Sequence, residues 1–337
     1  MFDRLERYCS AFGPSGCEDE IRRMIIEDID GHCDYRVDRT GNLLCFKSGR
    51  NPRANRLLVS AHMDEVGLMI DYITPEGMLH FGTVGGIESK DLCGKYVVIG
   101  DKRIPGVIGS KAIHHQKPEE RGICPPVEEL YIDIGADSKQ DAMRFVGIGD
   151  CAVFRPNYLE SGAFVMSKAL DDRFGCAALV DIIRGEIEYD TCFAFVICEE
   201  VGCRGAQTVA YSLNADYCIV CEATTAAEEG VTPEHLSPCS LNKGAVISAV
   251  DGGTIYDREL FDIAVETAKA KKIPYQIKKI IAGGNDARSY QQTATGAKVA
   301  AISSPSRYIH SPSGVCRKSD LIAVRDLIAA MIERSHD

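Results

Sequence analysis

LLVSAHMDEVG, residues 57–67, runs from apolar and small residues straight into His62, Asp64 and Glu65. A short apolar run bounded by polar residues reads as a strand buried on both faces, as in parallel or mixed sheets covered by helices. Here the run spans Arg56 to Ala61 and ends at His62. The pattern recurs along the chain. TCFAFVIC (191–198) leads into Glu199-Glu200, and DYCIVC (216–221) into Glu222. KVAAIS (298–303) is followed, after a short loop, by Arg307-Tyr308-Ile309-His310, and AFVM (163–166) comes shortly before Asp171-Asp172, which opens a helical pattern. Imidazole and carboxylate donors therefore collect just past the ends of core strands, where open α/β sheets place their ligand sites.

Two histidines and three carboxylates suit a pair of zinc-like divalent ions that share one bridging carboxylate. In hydrolases such ions lie about 3.5–4 Å apart and flank the attacking water. A further carboxylate that binds no metal must take the proton of that water. Each piece also has a plainer reading. A His-x-Asp after a strand is common in ordinary structure, and a Glu-Glu pair is usually a solvated face. Asp171-Asp172 would serve as a helix N-cap, and His310 sits in a loop where a surface histidine is ordinary. Metal binding is favoured because five donors land independently in equivalent places.

Working outward, residues 1–70 read as α/β, with helical apolar spacing over Glu18–Ile29 (Ile21, Met24, Ile25, Ile29). The character changes over Asp71–Asp150, which holds 12 of the chain's 31 glycines. Short β-like runs alternate with turns there: MLHFGTVGG, KYVVIG, VIGS and LYIDIG. From Ser167 the α/β pattern returns. A helix is expected over Asp172–Arg184, strands over Cys192–Cys198 and Tyr217–Cys221, and a helix over Arg258–Lys271. A strand over Val299–Ser303 and a helix over Leu321–Glu333 complete it. The expected architecture is α/β: a mixed sheet with helices on both faces, formed by residues 1–70 and 163–337 and interrupted by a small β insertion over 71–162.

Net charge is −11, from 49 acidic against 38 basic residues, which opposes nucleic acid as a partner because phosphate binding needs a basic face. No apolar stretch is long enough to span a membrane. The opening MFDRLERYCSAF lacks a signal core, so a cytoplasmic protein is expected. The 15 cysteines are scattered and read as small buried hydrophobes. The single CxxC, Cys218 to Cys221, lies along an expected strand, where positions three apart face opposite ways. His114 and His115 read as a surface loop with no metal role.

Across these residues the chain resembles the M42 family of metallo-aminopeptidases, which includes glutamyl aminopeptidases and the tetrahedral peptidases. The resemblance covers nearly the whole chain. Its motifs are SAHMDEVG (60–67), GVIGSK (106–111), KALDDRFG (168–175), EEVGCRGA (199–206), GGNDA (283–287) and RYIHS (307–311), with FGPSGCEDE (12–20) near the start. It implies a catalytic α/β domain interrupted by a PDZ-like β-barrel. It also implies two divalent ions per subunit, Zn²⁺ or Co²⁺. His62, Asp171 and Glu222 would hold one ion and Asp171, Glu200 and His310 the other, with Asp171 as the bridge. Glu199 would be the general base and Asp64 would orient His62 from behind. Peptide substrates and a dimer-based homo-oligomer, up to a dodecamer, follow from the same resemblance. Two positions depart from the family pattern: Glu222 stands where Asp is common, and Asn285 where Thr is common. Glu222 keeps the same oxygens on a longer arm, and Asn285 bears on specificity.

Three rival readings make different predictions. A glycoside hydrolase would need the carboxylates but not the histidines, and would survive chelation. A non-catalytic assembly protein would have a damaged site, whereas all five donors and the base are present. A thiol-redox protein would lose function on alkylation.

Overall fold

Side chains on neighbouring strand positions point to opposite faces, and the buried core follows that rule closely. Leu57, Val59, Ala61, Phe193, Phe195, Ile219, Cys221, Ala300 and Ile302 belong to one apolar cluster. Leu58, Ala194, Val196, Cys218, Val220, Val299 and Ala301, their intervening neighbours, belong to another. Each strand is thus apolar on both sides and must be covered on both. Helices Phe2–Ser10, Asp19–Ile29, Leu170–Arg184, Arg258–Lys271 and Lys318–Arg334 cover the first face. Helices Arg204–Leu213 and Ala287–Gln292 cover the second. Cys218 and Cys221 fall in different clusters, on opposite faces. The computed structural model of the chain describes residues 1–51, 57–228, 230 and 232–334. Arg56, which opens the run read from sequence, and residues 335–337, at the end of the expected catalytic domain, lie outside the described residues.

The sheet has eight strands in the order Asp34–Val37, Leu43–Lys47, Thr191–Val196, Leu57–His62, Tyr217–Thr225, Lys298–Ser306, Ala245–Ile247, Tyr275–Ile277. The four central strands, from Thr191–Val196 to Lys298–Ser306, run parallel to one another. Their carboxyl ends therefore share one edge. The flanking strands Leu43–Lys47 and Ala245–Ile247 pair antiparallel, which makes the sheet mixed.

A second body forms between Gly67 and Phe154. Six strands close into an antiparallel barrel in the order Gly67–Ile73, Leu79–Val84, Tyr131–Asp133, Ile104–Gly109, Tyr96–Ile99, Cys151–Phe154. Its own apolar core includes Leu68, Ile70, Phe81, Val97, Ile99, Ile108 and Ile132. The sequence readings differ from the observed elements mainly at their ends. The strand expected to stop at Cys221 continues to Thr225, and the last helix begins at Lys318 rather than Leu321. His114 and His115 are exposed on a 3₁₀ turn with their ring centroids 4.9 Å apart.

The N-terminal helix is docked by charge as well as by Leu5 and Tyr8. Arg4 donates to Asp28 at 3.2 Å and to Asp181 at 2.7 Å, and the Tyr8 hydroxyl donates to Asp28 at 2.8 Å. Burial alone would raise the Asp28 carboxyl. The Tyr8 and Arg7 hydrogen bonds outweigh it and hold the group below its ordinary 3.8. Asp181 is depressed in the same way: burial opposes, and Arg4 and the chain's N-terminus win. A carboxyl with a lowered folded pKa contributes stability above its unfolded pKa, and that stability is lost as pH falls through the folded value. Thermal stability is therefore expected to fall on acidification below about pH 4, and Asp28→Asn to flatten part of that limb while lowering stability at neutral pH. Melting curves of both proteins from pH 7 to 3 measure this.

Candidate metal centre

The shared edge of the four parallel strands brings the sequence-read donors together. Val220 is registered against Ser60, so His62 and Glu222, each two residues further on, lie side by side on one face. His62 Nε2 is 3.5 Å from Glu222 Oε1 and 3.1 Å from Asp171 Oδ1. Asp171 Oδ2 lies 3.6 Å from His310 Nε2, which is also 3.0 Å from Glu200 Oε2. One aspartate thus stands between two imidazoles, each with a second carboxylate of its own. Glu199 lines the same cavity, of about 420 Å³, as Asp171, Glu222 and His310. Asp64 sits behind. It lies 3.4 Å from His62 Nδ1 through Oδ1, and its two oxygens accept the Glu199 and Glu200 amides at 3.0 and 3.1 Å. A single buried carboxylate therefore lies against the imidazole, whose Nδ1 is 3.1 Å from the Asp64 carbonyl, and holds the turn that carries Glu199 and Glu200.

The two adjacent aspartates divide the labour. The helix that carries them begins at Leu170, but Asp171 and Asp172 have non-helical backbone angles, and the peptide between them is cis. Asp171 faces the histidines. Asp172 accepts the Gly175 amide at 3.0 Å, so the N-cap reading holds for the second aspartate. Asp172 also lies close enough to His62 and Glu222 to form a donor group with them. Gly175 allows this fold-back: a Cβ there would sit 2.2 Å from Asp172 Oδ2.

Charge in the site is unbalanced. Burial alone would keep His62 neutral, but Glu222, Asp171 and Asp64 raise it well above its usual value. For His310 burial also opposes, yet Asp171 and Glu200 raise it to about 11. Asp171 is pushed far down by the two imidazoles against the pull of burial. Burial raises Glu199, Glu200 and Glu222, and neighbouring carboxylates add to it. Glu200 Oε1 and Glu222 Oε2 are buried with no hydrogen-bond partner among the described residues. Unsatisfied carboxylate oxygens packed around imidazoles want positive charge. The field that draws protons to the histidines would draw divalent cations, which displace those protons on binding. The donor set, nitrogen and oxygen with no thiolate, fits divalent metal ions.

Two supports were not singled out by sequence reasoning. Glu65 is buried between two cations: Lys168 Nζ is 2.7 Å from its carboxylate and Arg173 Nη2 is 3.1 Å from it. Lys168 also donates to the Ala11 carbonyl, and Arg173 to those of Tyr8 and Gly13. This triad clamps the segment bearing Asp171 to the strand end bearing His62. Its members lie inside SAHMDEVG and KALDDRFG, and charged residues embedded in otherwise buried motifs were the available signal. The second support comes from the barrel. The Gly86 carbonyl is 3.0 Å from His310 Nδ1. At Gly85, with φ +86°, a Cβ would lie 2.9 Å from Val66 and 3.2 Å from Glu200 Cβ, so only glycine lets that loop come so near.

Comparison with known proteins agrees with this geometry. The family model described as M42 glutamyl aminopeptidase matches residues 41–327. The chain belongs to the M42 peptidase family. Over 336 residues it is 38% identical to a putative aminopeptidase of Acetivibrio thermocellus, covering 98% of each protein. An aminopeptidase from Desulfurococcus kamchatkensis superposes with a TM-score of 0.93 at 32% identity, covering 99% of this chain and 94% of that one. The TET1 peptidase of Pyrococcus horikoshii, described as assembling into a tetrahedron or a large octahedral shell, has a TM-score of 0.88 at 36% identity, covering 98% of each chain. This M42 protein is a metal-dependent aminopeptidase, a hydrolase, and its mixed α/β sheet with a closed barrel is the fold of the TET aminopeptidases. Among the described residues no helix is long and apolar enough to cross a membrane.

Proposed function

We propose that the centre holds two divalent ions, Zn²⁺ or Co²⁺, one on His62, Asp171 and Glu222 and the other on Asp171, Glu200 and His310. The observation that carries this reading is the Asp171 carboxylate, with one oxygen 3.1 Å from His62 and the other 3.6 Å from His310. Bound there, such ions would lower the pKa of a water molecule and polarise the scissile carbonyl. Glu199 takes the proton of the attacking water and returns it to the leaving amine. Asp64 holds His62 in the orientation that presents Nε2 to the site, and Gly86 does the same for His310. Carboxylates around the cavity attract the substrate's free α-ammonium. Chelation is expected to abolish hydrolysis of aminoacyl chromogenic substrates, and added Zn²⁺ or Co²⁺ to restore it with two ions per subunit by elemental analysis. Activity that survives metal-free conditions would sink the reading.

The cavity wall also suggests a preference. Asp251 is engaged by its own loop, accepting from Gly253 and Thr254 amides at 2.8 and 2.7 Å and from the Tyr256 hydroxyl at 2.5 Å. Lys278 donates to the Ala282 carbonyl at 2.7 Å and has no carboxylate within ion-pair distance among the described residues. A cation with donors to spare favours substrates with an acidic N-terminal side chain. Glutamyl substrates are expected to show a higher kcat/KM than lysyl ones, and Lys278→Met to lose about tenfold or more of that ratio. Asn285, the departure from the family pattern, is itself part of the cavity wall and is held there by accepting from the Ala287 amide and donating to the Tyr256 hydroxyl. We assign the expected insertion, residues 71–162, to a barrel domain that also takes in the start of strand Gly67–Ile73, and the flanking residues up to 66 and from 163 to 337 to the catalytic domain. By likeness to TET1 the protein would be a dimer-based homo-oligomer, with peptide substrates in the cytoplasm.

A further inference from the structure

A third set of donors lies against the wall of the centre. Glu199, Cys203 and Asp286 each offer one ligand atom, and these atoms lie within 4.8 Å of one another. They come from three places: the turn after strand Thr191–Val196, the residue before helix Arg204–Leu213, and the residue before helix Ala287–Gln292. The Cys203 thiol donates to Glu199 Oε1 at 3.4 Å, and the Ser289 hydroxyl donates to the Cys203 carbonyl at 3.1 Å, which ties two of the segments together. Asp286 is 1% exposed. Among the described residues neither of its oxygens has a well-formed hydrogen bond, the one proton of the nearby thiol being spent on Glu199. A carboxylate that is buried and unpartnered beside a thiol and a second carboxylate calls for an explanation. Glu199 also lines the open cavity, which puts one of the three ligands at its wall.

We propose that Glu199, Cys203 and Asp286 form a third, inhibitory site for a thiophilic divalent cation such as Zn²⁺. One sulfur and two carboxylates supply three protein ligands and leave a fourth position for water, which suits Zn²⁺ or Cd²⁺ and not Mg²⁺. Binding converts the Cys203 thiol to a thiolate and releases its proton to solvent. No electrons are transferred. The ion occupies the Glu199 carboxylate, which can then no longer accept a proton from water. The inhibitory part rests on the reading of Glu199 as the base; ion binding at Cys203 does not.

The test uses the protein carrying its two-ion load. Cd²⁺ is titrated in and the near-ultraviolet thiolate-to-cadmium absorption is read as a difference from Cys203→Ala. In parallel, activity is followed with added Zn²⁺ or Mg²⁺, each variant being compared with its own uninhibited rate. The expected result is a Cys203-dependent band, protection of Cys203 from alkylation by excess Zn²⁺ in peptide mapping, and inhibition by Zn²⁺ but not Mg²⁺. Cys203→Ala and Asp286→Asn should each raise the inhibitory Zn²⁺ concentration by about tenfold or more. Unchanged Zn²⁺ inhibition in both variants with no Cys203-dependent band would overturn the proposal and leave three groups that merely share protons. A Cys203-dependent band with no inhibition of an active enzyme by Zn²⁺ would support the ion site and overturn the assignment of Glu199 as the base instead.

Discussion

Glu199→Gln is expected to lower kcat by about 10²–10⁴-fold while leaving metal content and KM close to those of the parent protein. The amide keeps the length of the side chain and can still accept the Cys203 thiol through Oε1, so the turn following strand Thr191–Val196 should hold its shape. The Glu199 backbone amide still donates to Asp64, and the neighbouring Glu200 keeps its own bond to the same carboxylate. What is lost is the capacity to take a proton. Steady-state kinetics with elemental analysis of the same sample separates this from damage to the metal centre, since His62→Ala or His310→Ala should lose metal as well as activity. Near-normal turnover with Gln at 199 would move the base elsewhere, and Asp286, with its proton affinity raised by burial to about 7, is the next group in reach.

Glu65→Gln is expected to be the most damaging change to stability outside the centre. Glu65 is the carboxylate facing both Lys168 and Arg173, and these three residues are 2%, 1% and 0% exposed. Removing its charge leaves two buried cations beside each other, held only by carbonyl oxygens. Breaking a buried ion pair in this way costs about 3–5 kcal/mol, which for a chain of this size lowers the melting temperature by roughly 4–7 °C. Lys168→Met made on top of Glu65→Gln should recover part of the loss, because it removes one of the orphaned charges. A double-mutant cycle read by calorimetry gives the coupling. Additive effects would mean the three groups do not act together. Loss of activity is expected to accompany loss of stability, because Lys168 and Arg173 flank Asp171 in the chain.

The pattern of apolar runs was enough to expect a covered mixed sheet and to place donors at its strand ends. A run such as CFAFV must be buried on both sides, and the edge where such strands end is where polar chain first meets solvent. The glycine-rich stretch was enough to expect a separate β body, since frequent turns and short apolar runs cannot build long helices. Element ends were less legible. Glu222 reads as a residue after a strand, yet it lies inside Tyr217–Thr225 and reaches the site because its register against Leu57–His62 puts it beside His62.

The chemical kinds of donor, their number and their place at strand ends were determined by the sequence alone, because side-chain type and apolar periodicity are local properties. Which of two identical neighbours faces the histidines was not. Asp171 and Asp172 differ only in the backbone angles that hold them, and those angles are imposed by packing across the fold. The same is true of Glu65, an ordinary acidic residue until the strand end carrying it closes over Lys168 and Arg173, and of the Gly86 carbonyl, 224 residues from the histidine it orients. Burial, register and close approach between distant segments exist only once the chain has folded. They decide which carboxylates are paired and which are left buried without a partner among the described residues.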